Sequence, residues 1–559
     1  MPRKKAKKKP KKKDRSQPKP NEPVLSKKEL AQKKRQSAKQ RKEFTQTLVS
    51  AGSVGLIIGI ALFFAKDEKL ALAGGGGIFV MTLSYKYPIL ALWLFIMYMP
   101  FAGTVTYWIA GGNAIFQLAK DGFAFPAMIA IWQQLKKKRK PFIVPKSLKI
   151  PLSILLGLLL VTLLAVNADL QFSGEVEGQP IAMGLLGLKV FIGYLPLITC
   201  TYYLIKGKRE FLWFTRLHVI LAIICCFLGF VQYFMLSSGI CEGTDHLIGD
   251  DLFKATLDAK CLVGGSLVFS PSQNMIRLPG TFVAPWQWAW FLIGNSFFTF
   301  ASAFSDPSLI WQLISFLGMA LVFVNSVISG QRIALFLVPV ITILLLILTG
   351  QLSKPQRFIP IVGGIGFLIL MSFILFPDVV QERIDSAIDR WNASPPTEFI
   401  AEQAEFTSKG QEGFLGNGLG RATNSARMFG KTKLIETYYP KLLYEIGPLG
   451  VFGFLGVVTT LTVTTFKIWR SLKEKHLRSY AACFWVFIFF ISYQTYYYPL
   501  DVDPVAVYYW MVVGVTLRLP DIEKQEFERL AALGEDLEDD PKKKKKQQQK
   551  TSRKSTATI

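Results

Sequence analysis

The chain has 559 residues, 51% of them hydrophobic and only 19% charged, yet its formal net charge is +26. Its apolar residues are gathered into nearly charge-free blocks of about 18–22, the length that crosses a ~30 Å hydrocarbon core. That distribution excludes an ordinary soluble enzyme and predicts an all-α, polytopic membrane helix bundle.

In chain order, residues 1–44 read as a basic, disordered cytoplasmic tail, with 19 Lys/Arg against 4 Asp/Glu over 1–43. No small-residue cleavage site separates the first apolar run from the next, so no cleavable signal peptide is expected. A membrane domain follows over 45–518 with about fourteen spans: 48–65, 70–85, 88–110, 121–134, 150–168, 185–205, 211–235, 283–304, 308–329, 333–350, 358–377, 443–466, 479–499 and 504–518. Residues 519–559 form a second charged cytoplasmic tail, acidic to residue 540 and lysine-rich beyond it. The tails lack interleaved aromatic residues for base stacking, so the expected partner is the lipid bilayer and not nucleic acid.

Lys and Arg in short loops set orientation. With the N-terminus inside, the cytoplasmic loops hold Lys136–Lys140, the run 206–209, Lys354 with Arg357, and 467–478. The opposite side receives 169–180 and two large polar loops, 236–282 and 378–440. The expected location is the plasma (inner) membrane, with both termini cytoplasmic. Outward loops see no ATP, and no Gly-Lys-Ser/Thr phosphate loop is present. No internal repeat marks the halves of a secondary transporter.

Of six cysteines, Cys200, Cys225, Cys226 and Cys483 fall inside apolar spans and read as small core residues. Cys241 and Cys261 share the first large outward loop. An oxidising exterior favours a disulfide there, worth about 3 kcal/mol for a loop of about twenty residues; two unpaired loop cysteines are the alternative.

Three cations stand at the outer ends of spans, where a bilayer protein avoids charge without cause. Arg277 lies in Arg277-Leu278-Pro279-Gly280-Thr281-Phe282, Arg332 in Ser329-Gly330-Gln331-Arg332-Ile333-Ala334, and Lys189 in the first turns of its span. Together they could hold a diphosphate, which arginine binds through its bidentate fork. The plainer alternative is that each snorkels to lipid headgroups. The second large loop ends in Gly413-Phe414-Leu415-Gly416-Asn417-Gly418-Leu419-Gly420, then Glu436, then Tyr444-Glu445-Ile446-Gly447-Pro448-Leu449-Gly450. No strand precedes the glycines, which removes the dinucleotide reading. Gly416, Gly418 and Gly420 are expected to bring backbone close to a ligand, and Glu436 is a candidate general base.

Taken together, the Arg277 and Arg332 motifs, the late outer loop with its spaced glycines, and Tyr444-Glu445-Ile446-Gly447-x-x-Gly450 resemble the O-antigen ligase/polymerase superfamily of GT-C type membrane glycosyltransferases. The likeness covers roughly 45–518. Ser84-Tyr85-Lys86-Tyr87-Pro88 and the segment 112–121 further resemble its cyanobacterial hormogonium polysaccharide branch. The resemblance implies a metal-independent, cofactor-free inverting enzyme that polymerises or ligates an exported polysaccharide. Its donor is a lipid-linked oligosaccharide on undecaprenyl diphosphate, its acceptor a glycan, and flippase or polysaccharide export proteins are further implied partners. In that picture the arginines stabilise the leaving diphosphate. Ligases carry a histidine in the late outer loop, and 378–440 has none; Glu436 stands roughly in its place, and His246 is the outward histidine. Two other readings stay open: an anion transporter of the inorganic-carbon type, and a non-catalytic subunit of an export assembly.

Overall fold

The computed structural model describes residues 27–538 apart from 66–67, 113, 175–176, 253–255, 271–274, 352–362, 364–365, 368–369, 372, 376 and 394. The basic tail before residue 27, the lysine-rich tail from 539, and much of the expected span 358–377 lie outside the described residues.

Helices dominate. They are α1 (Lys27–Ala65), α2 (Glu68–Lys86), α3 (Pro88–Tyr98), α4 (Ala119–Lys137), α5 (Lys149–Thr162), α6 (Ala168–Ser173), α7 (Pro180–Ile192), α8 (Leu197–Leu204), α9 (Lys208–Ser237), α10 (Pro285–Ser305), α11 (Leu309–Ile328) and α12 (Arg332–Leu348). After these come α13 (Pro377–Ala393), α14 (Pro396–Gly410), α15 (Tyr438–Ser471), α16 (Lys475–Tyr493) and α17 (Val505–Glu538). Among the described residues, seven helical stretches are long and apolar enough to cross a bilayer: Ala31–Ala65, Lys146–Ser173, Pro180–Leu204, Lys208–Ser237, Leu309–Ile328, Tyr438–Ser471 and Val505–Ala532. Pro88–Phe101 and Arg332–Leu348 are shorter apolar helices.

The bundle is built around α10, nineteen of whose residues are buried. It is packed by α9, α11, α12, α16 and α17. The outermost helices turn large apolar side chains outward instead, as Phe64 (84% exposed) and Ile57 (66%) do on α1. That inversion is what a lipid solvent permits and water does not. At the periphery α1 and α2 form a close hairpin, because glycines face each other: a Cβ on Gly75 would lie 2.5 Å from the Gly55 carbonyl oxygen.

Two expectations are corrected here, and the second charged tail is found to begin as helix. Residues 27–44, read as disordered tail, are the first turns of α1, and 519–538 continue α17 without a break. Both stretches are rich in Lys, Glu, Gln, Ala, Leu and Arg, which are good helix formers. Each also extends a helix already nucleated in the membrane, so no new nucleus is needed. The second large loop is not loop throughout: it contains α13 and α14.

Loop contacts sort the molecule into two ends. At one, Tyr203 donates its hydroxyl to the Pro141 carbonyl (3.1 Å), and Arg518 donates to the carbonyls of Ile205 (3.0 Å) and Lys206 (3.3 Å). The Lys473 and Glu474 amides donate to Glu523 (2.7 and 2.6 Å), while Arg216 pairs with the buried Asp306 (2.8 Å). These are the loops that the lysine asymmetry assigns to the cytoplasm. The two large loops gather at the opposite end. The first is closed by a Cys241–Cys261 disulfide, with a Cα–Cα distance of 5.7 Å. It carries a two-stranded antiparallel hairpin, β1 (Val268–Ser270) and β2 (Met275–Arg277), with Val268 opposite Arg277. A π-helical turn at Thr104–Ile109 receives this loop: Trp108 Nε1 donates to Gly264 O at 3.1 Å, and the Gly103 amide donates to Thr281 O at 3.1 Å.

Candidate functional site

At the large-loop end, the two arginine motifs meet backbone to backbone. The amide of Leu278 donates to the carbonyl of Ser329 at 3.0 Å. Gly330 has a φ of +70° and turns directly beneath β2. A Cβ there would lie 3.3 Å from Arg277 Cα and 3.2 Å from Ile276 O. The tight turn at the head of α12 is therefore the floor on which the Arg277 strand rests. Arg332 opens α12 and is engaged with its surroundings.

Arg277 is mostly enclosed, and its buried Nε has no hydrogen-bond partner among the described residues. Burial draws its guanidinium below the ordinary arginine range, while Tyr497 and Glu436 alongside act in the opposite sense. Arginine keeps its proton under such a shift. The result is a partly desolvated cation with a donor unspent, and leaving such a group unpaired costs about 1–3 kcal/mol.

Strand-like pairing places Glu436 within electrostatic range of this cation. Thr437 forms an antiparallel bridge with Tyr496, and the Tyr438 amide donates to Thr495 O at 2.7 Å. That register sets Glu436 and Tyr497 side by side, and both act electrostatically on Arg277. The Glu436 amide is anchored by Gln403 Oε1 on α14 at 3.1 Å. Tyr497 holds a φ of +50°, rare for a residue with a Cβ. Next to it, burial and then the Glu436 charge push the Tyr498 phenol up, while the hydrogen bond from Asn424 (3.2 Å) and the charge of Arg427 hold it down. Arg277, the Arg332 turn and Glu436, far apart in sequence, thus share one neighbourhood.

The spaced glycines behave differently from expectation. Gly416, Gly418 and Gly420 do allow close approach, but to protein. A Cβ on Gly416 would lie 2.5 Å from Gly447 N, and one on Gly420 would overlap the Met183 carbonyl of α7; one on Gly418 would press on the Asn167 side chain at 3.2 Å. Asn167 ends a π-helical turn and clamps the loop through Leu419, donating to its carbonyl and accepting from its amide, both at 2.9 Å. The buried Glu445 carboxylate accepts from the Ala422 amide (2.7 Å) and the Thr423 hydroxyl (3.0 Å). These glycines wedge the loop between α7 and the kink at Gly447; their close contacts are with backbone and with the Asn167 side chain.

Lys189 also departs from expectation. It forms an ion pair with Asp121 at 2.8 Å and lies 5.5 Å from the Tyr194 ring. Its charge is matched inside the protein. It belongs to a second group, in which Lys120 pairs with Asp503 and Tyr194 donates to Asp121. Lys441 pairs with Asp501, both nearly buried, and faces the Tyr498 ring. The link between the two groups is the segment 495–503, which sequence reading did not single out. Its signal was present as three consecutive tyrosines and two aspartates beside an apolar run, but nothing local says what they face. His246 is exposed on the short turn Thr244–His246, within the disulfide-closed loop.

No protein-family model matches the chain, and no curated protein sequence matches it.

Proposed function

We propose that the chain is a membrane glycosyltransferase that polymerises or ligates an exported polysaccharide at the large-loop end of the bundle. The donor is a glycan on undecaprenyl diphosphate, presented in the leaflet at that end. The observation that carries this reading is the convergence of Arg277, the Arg332 turn and Glu436, with the Arg277 Nε–H still unpaired. In the reaction an acceptor hydroxyl attacks the anomeric carbon and its proton passes to Glu436. The anomeric carbon–oxygen bond breaks with inversion, and its electron pair leaves on the diphosphate, which the two guanidiniums stabilise. A fourteen-span bundle in the inner membrane, with both tails cytoplasmic, completes the reading. The likeness to the O-antigen ligase/polymerase superfamily, and to its hormogonium polysaccharide branch, supports it from the side of sequence. Lys189 and the three loop glycines are left outside the reacting groups.

The test is polymer formation by cells carrying Arg277→Lys, Arg332→Lys or Glu436→Gln, at equal protein levels in the membrane. Lysine keeps the charge and loses the fork, so both lysine variants should make little polymer. Removing a general base lowers rate by roughly 10²–10⁴, so Glu436→Gln should make almost none, whereas His246→Ala should be active. Wild-type polymer from both lysine variants would overturn the role of the arginines. Full activity of Glu436→Gln would remove the base.

A further inference from the structure

Gln331 is the residue before the first turn of α12, where helices expose amide donors and carry the positive end of their dipole. Its side chain does not cap those donors. Instead the residue is 8% exposed, and its side-chain Nε2 has no hydrogen-bond partner among the described residues. Its backbone is fully used: the Gln331 amide donates to Ser329 Oγ at 3.2 Å, and its carbonyl accepts from Ala334 and Leu335, both at 3.0 Å. The turn is therefore rigid, and the side chain is the part with hydrogen-bonding capacity left over. β2 runs over the adjoining Gly330, and its Arg277 carries another unpaired buried donor.

We infer that Gln331 is a ligand-binding residue, and that it, the amino end of α12 and Arg277 together form a binding site for a phosphate ester. This rests on the donor proposed above and assigns a residue and a floor to it. Two buried donors without acceptors, at a helix amino end with no acidic side chain in its first turn, call for an acceptor that is anionic and rich in oxygen. Phosphoryl oxygens fit that description, and helix amino ends bind them through the same amides and dipole. A neutral amide adds a directed hydrogen bond without adding charge. That suits a group which must hold the diphosphate and then release it.

The experiment uses the full chain in lipid nanodiscs and measures, by calorimetry, binding of inorganic pyrophosphate and, separately, of undecaprenyl diphosphate. Gln331→Leu removes the donor, Gln331→Glu replaces it with a repelling carboxylate, and Gln331→Asn keeps an amide. A hydrogen bond to a charged group is worth about a factor of ten or more in affinity. Gln331→Leu should therefore weaken binding about tenfold and Gln331→Glu further, with Gln331→Asn the least affected. Thermal unfolding without ligand must match wild type for each variant counted. Binding of both probes supports a site that reads the diphosphate alone; binding of undecaprenyl diphosphate only supports the same site with lipid contacts added. Wild-type affinity in both Gln331→Leu and Gln331→Glu overturns the inference. If Arg277→Lys loses binding in that case, the donor reading survives without it. No binding of either probe to the wild-type protein overturns both.

Discussion

Replacing Gly447 by alanine separates two costs that a loop glycine can carry. Gly447 breaks α15 with φ +65° and ψ −179°, a backbone region that residues with a Cβ rarely enter, and Pro448 follows it. Holding alanine there costs about 1–3 kcal/mol. Space adds a second cost, because the new Cβ would overlap the Phe414 carbonyl oxygen and lie 2.5 Å from Gly416 N. Both are backbone atoms of a loop clamped by Asn167 and Glu445, so neither can move alone. Overpacking of this kind costs about 1–3 kcal/mol, and the two together come to about 4 kcal/mol. Gly413 is the control, with nearly the same φ, +62°, and nothing within 4 Å of a Cβ. Gly413→Ala should cost only about 1 kcal/mol. The assay is thermal unfolding of the purified full chain in one detergent, followed by loss of the monodisperse peak. Gly447→Ala should unfold well below wild type and Gly413→Ala close to it. Equal losses would show that φ alone matters and that the wedge between loop and kink carries no energy.

Two further outcomes follow from other contacts. Asp501→Asn leaves the Lys441 ammonium, 4% exposed, without its counter-charge; that should cost about 3–5 kcal/mol, with Lys441→Met/Asp501→Leu regaining most of it. The same unfolding assay checks this, and an Asp501→Asn protein as stable as wild type would refute it. For sidedness, cysteine at Lys431 should react with an impermeant maleimide in intact cells and cysteine at Lys138 only after permeabilisation; the reverse pattern would invert the assignment of ends.

Part of the candidate site was legible in the sequence. Arg277 and Arg332 stand out because a cation at the edge of an apolar run is costly wherever the chain goes, and the Cys241–Cys261 disulfide was favoured because both cysteines share one large polar loop. Glu436 entered as a candidate by likeness alone, since one carboxylate among many in 378–440 has no distinguishing local chemistry. The pairing of Lys189 was not legible because its partner, Asp121, lies on α4, and sequence cannot show a charge being neutralised from another helix. The helices α13 and α14 were missed because their apolar positions are too few to register as spans.

What the sequence by itself determined is therefore what depends on short stretches of chain. Apolar runs make helices of membrane-crossing length, since every backbone group must be satisfied within the segment. Charge asymmetry sorts the loops into two ends. The tertiary structure decided which groups meet. Leu278 bonds to Ser329, Thr437 pairs with Tyr496, and Asn167 grips Leu419. Each contact joins segments brought together only when helices between them pack, and in lipid that packing rests on shape, close backbone approach and paired polar groups. Gly330 under Arg277 and Gly416 against Gly447 are the places where that shape is set.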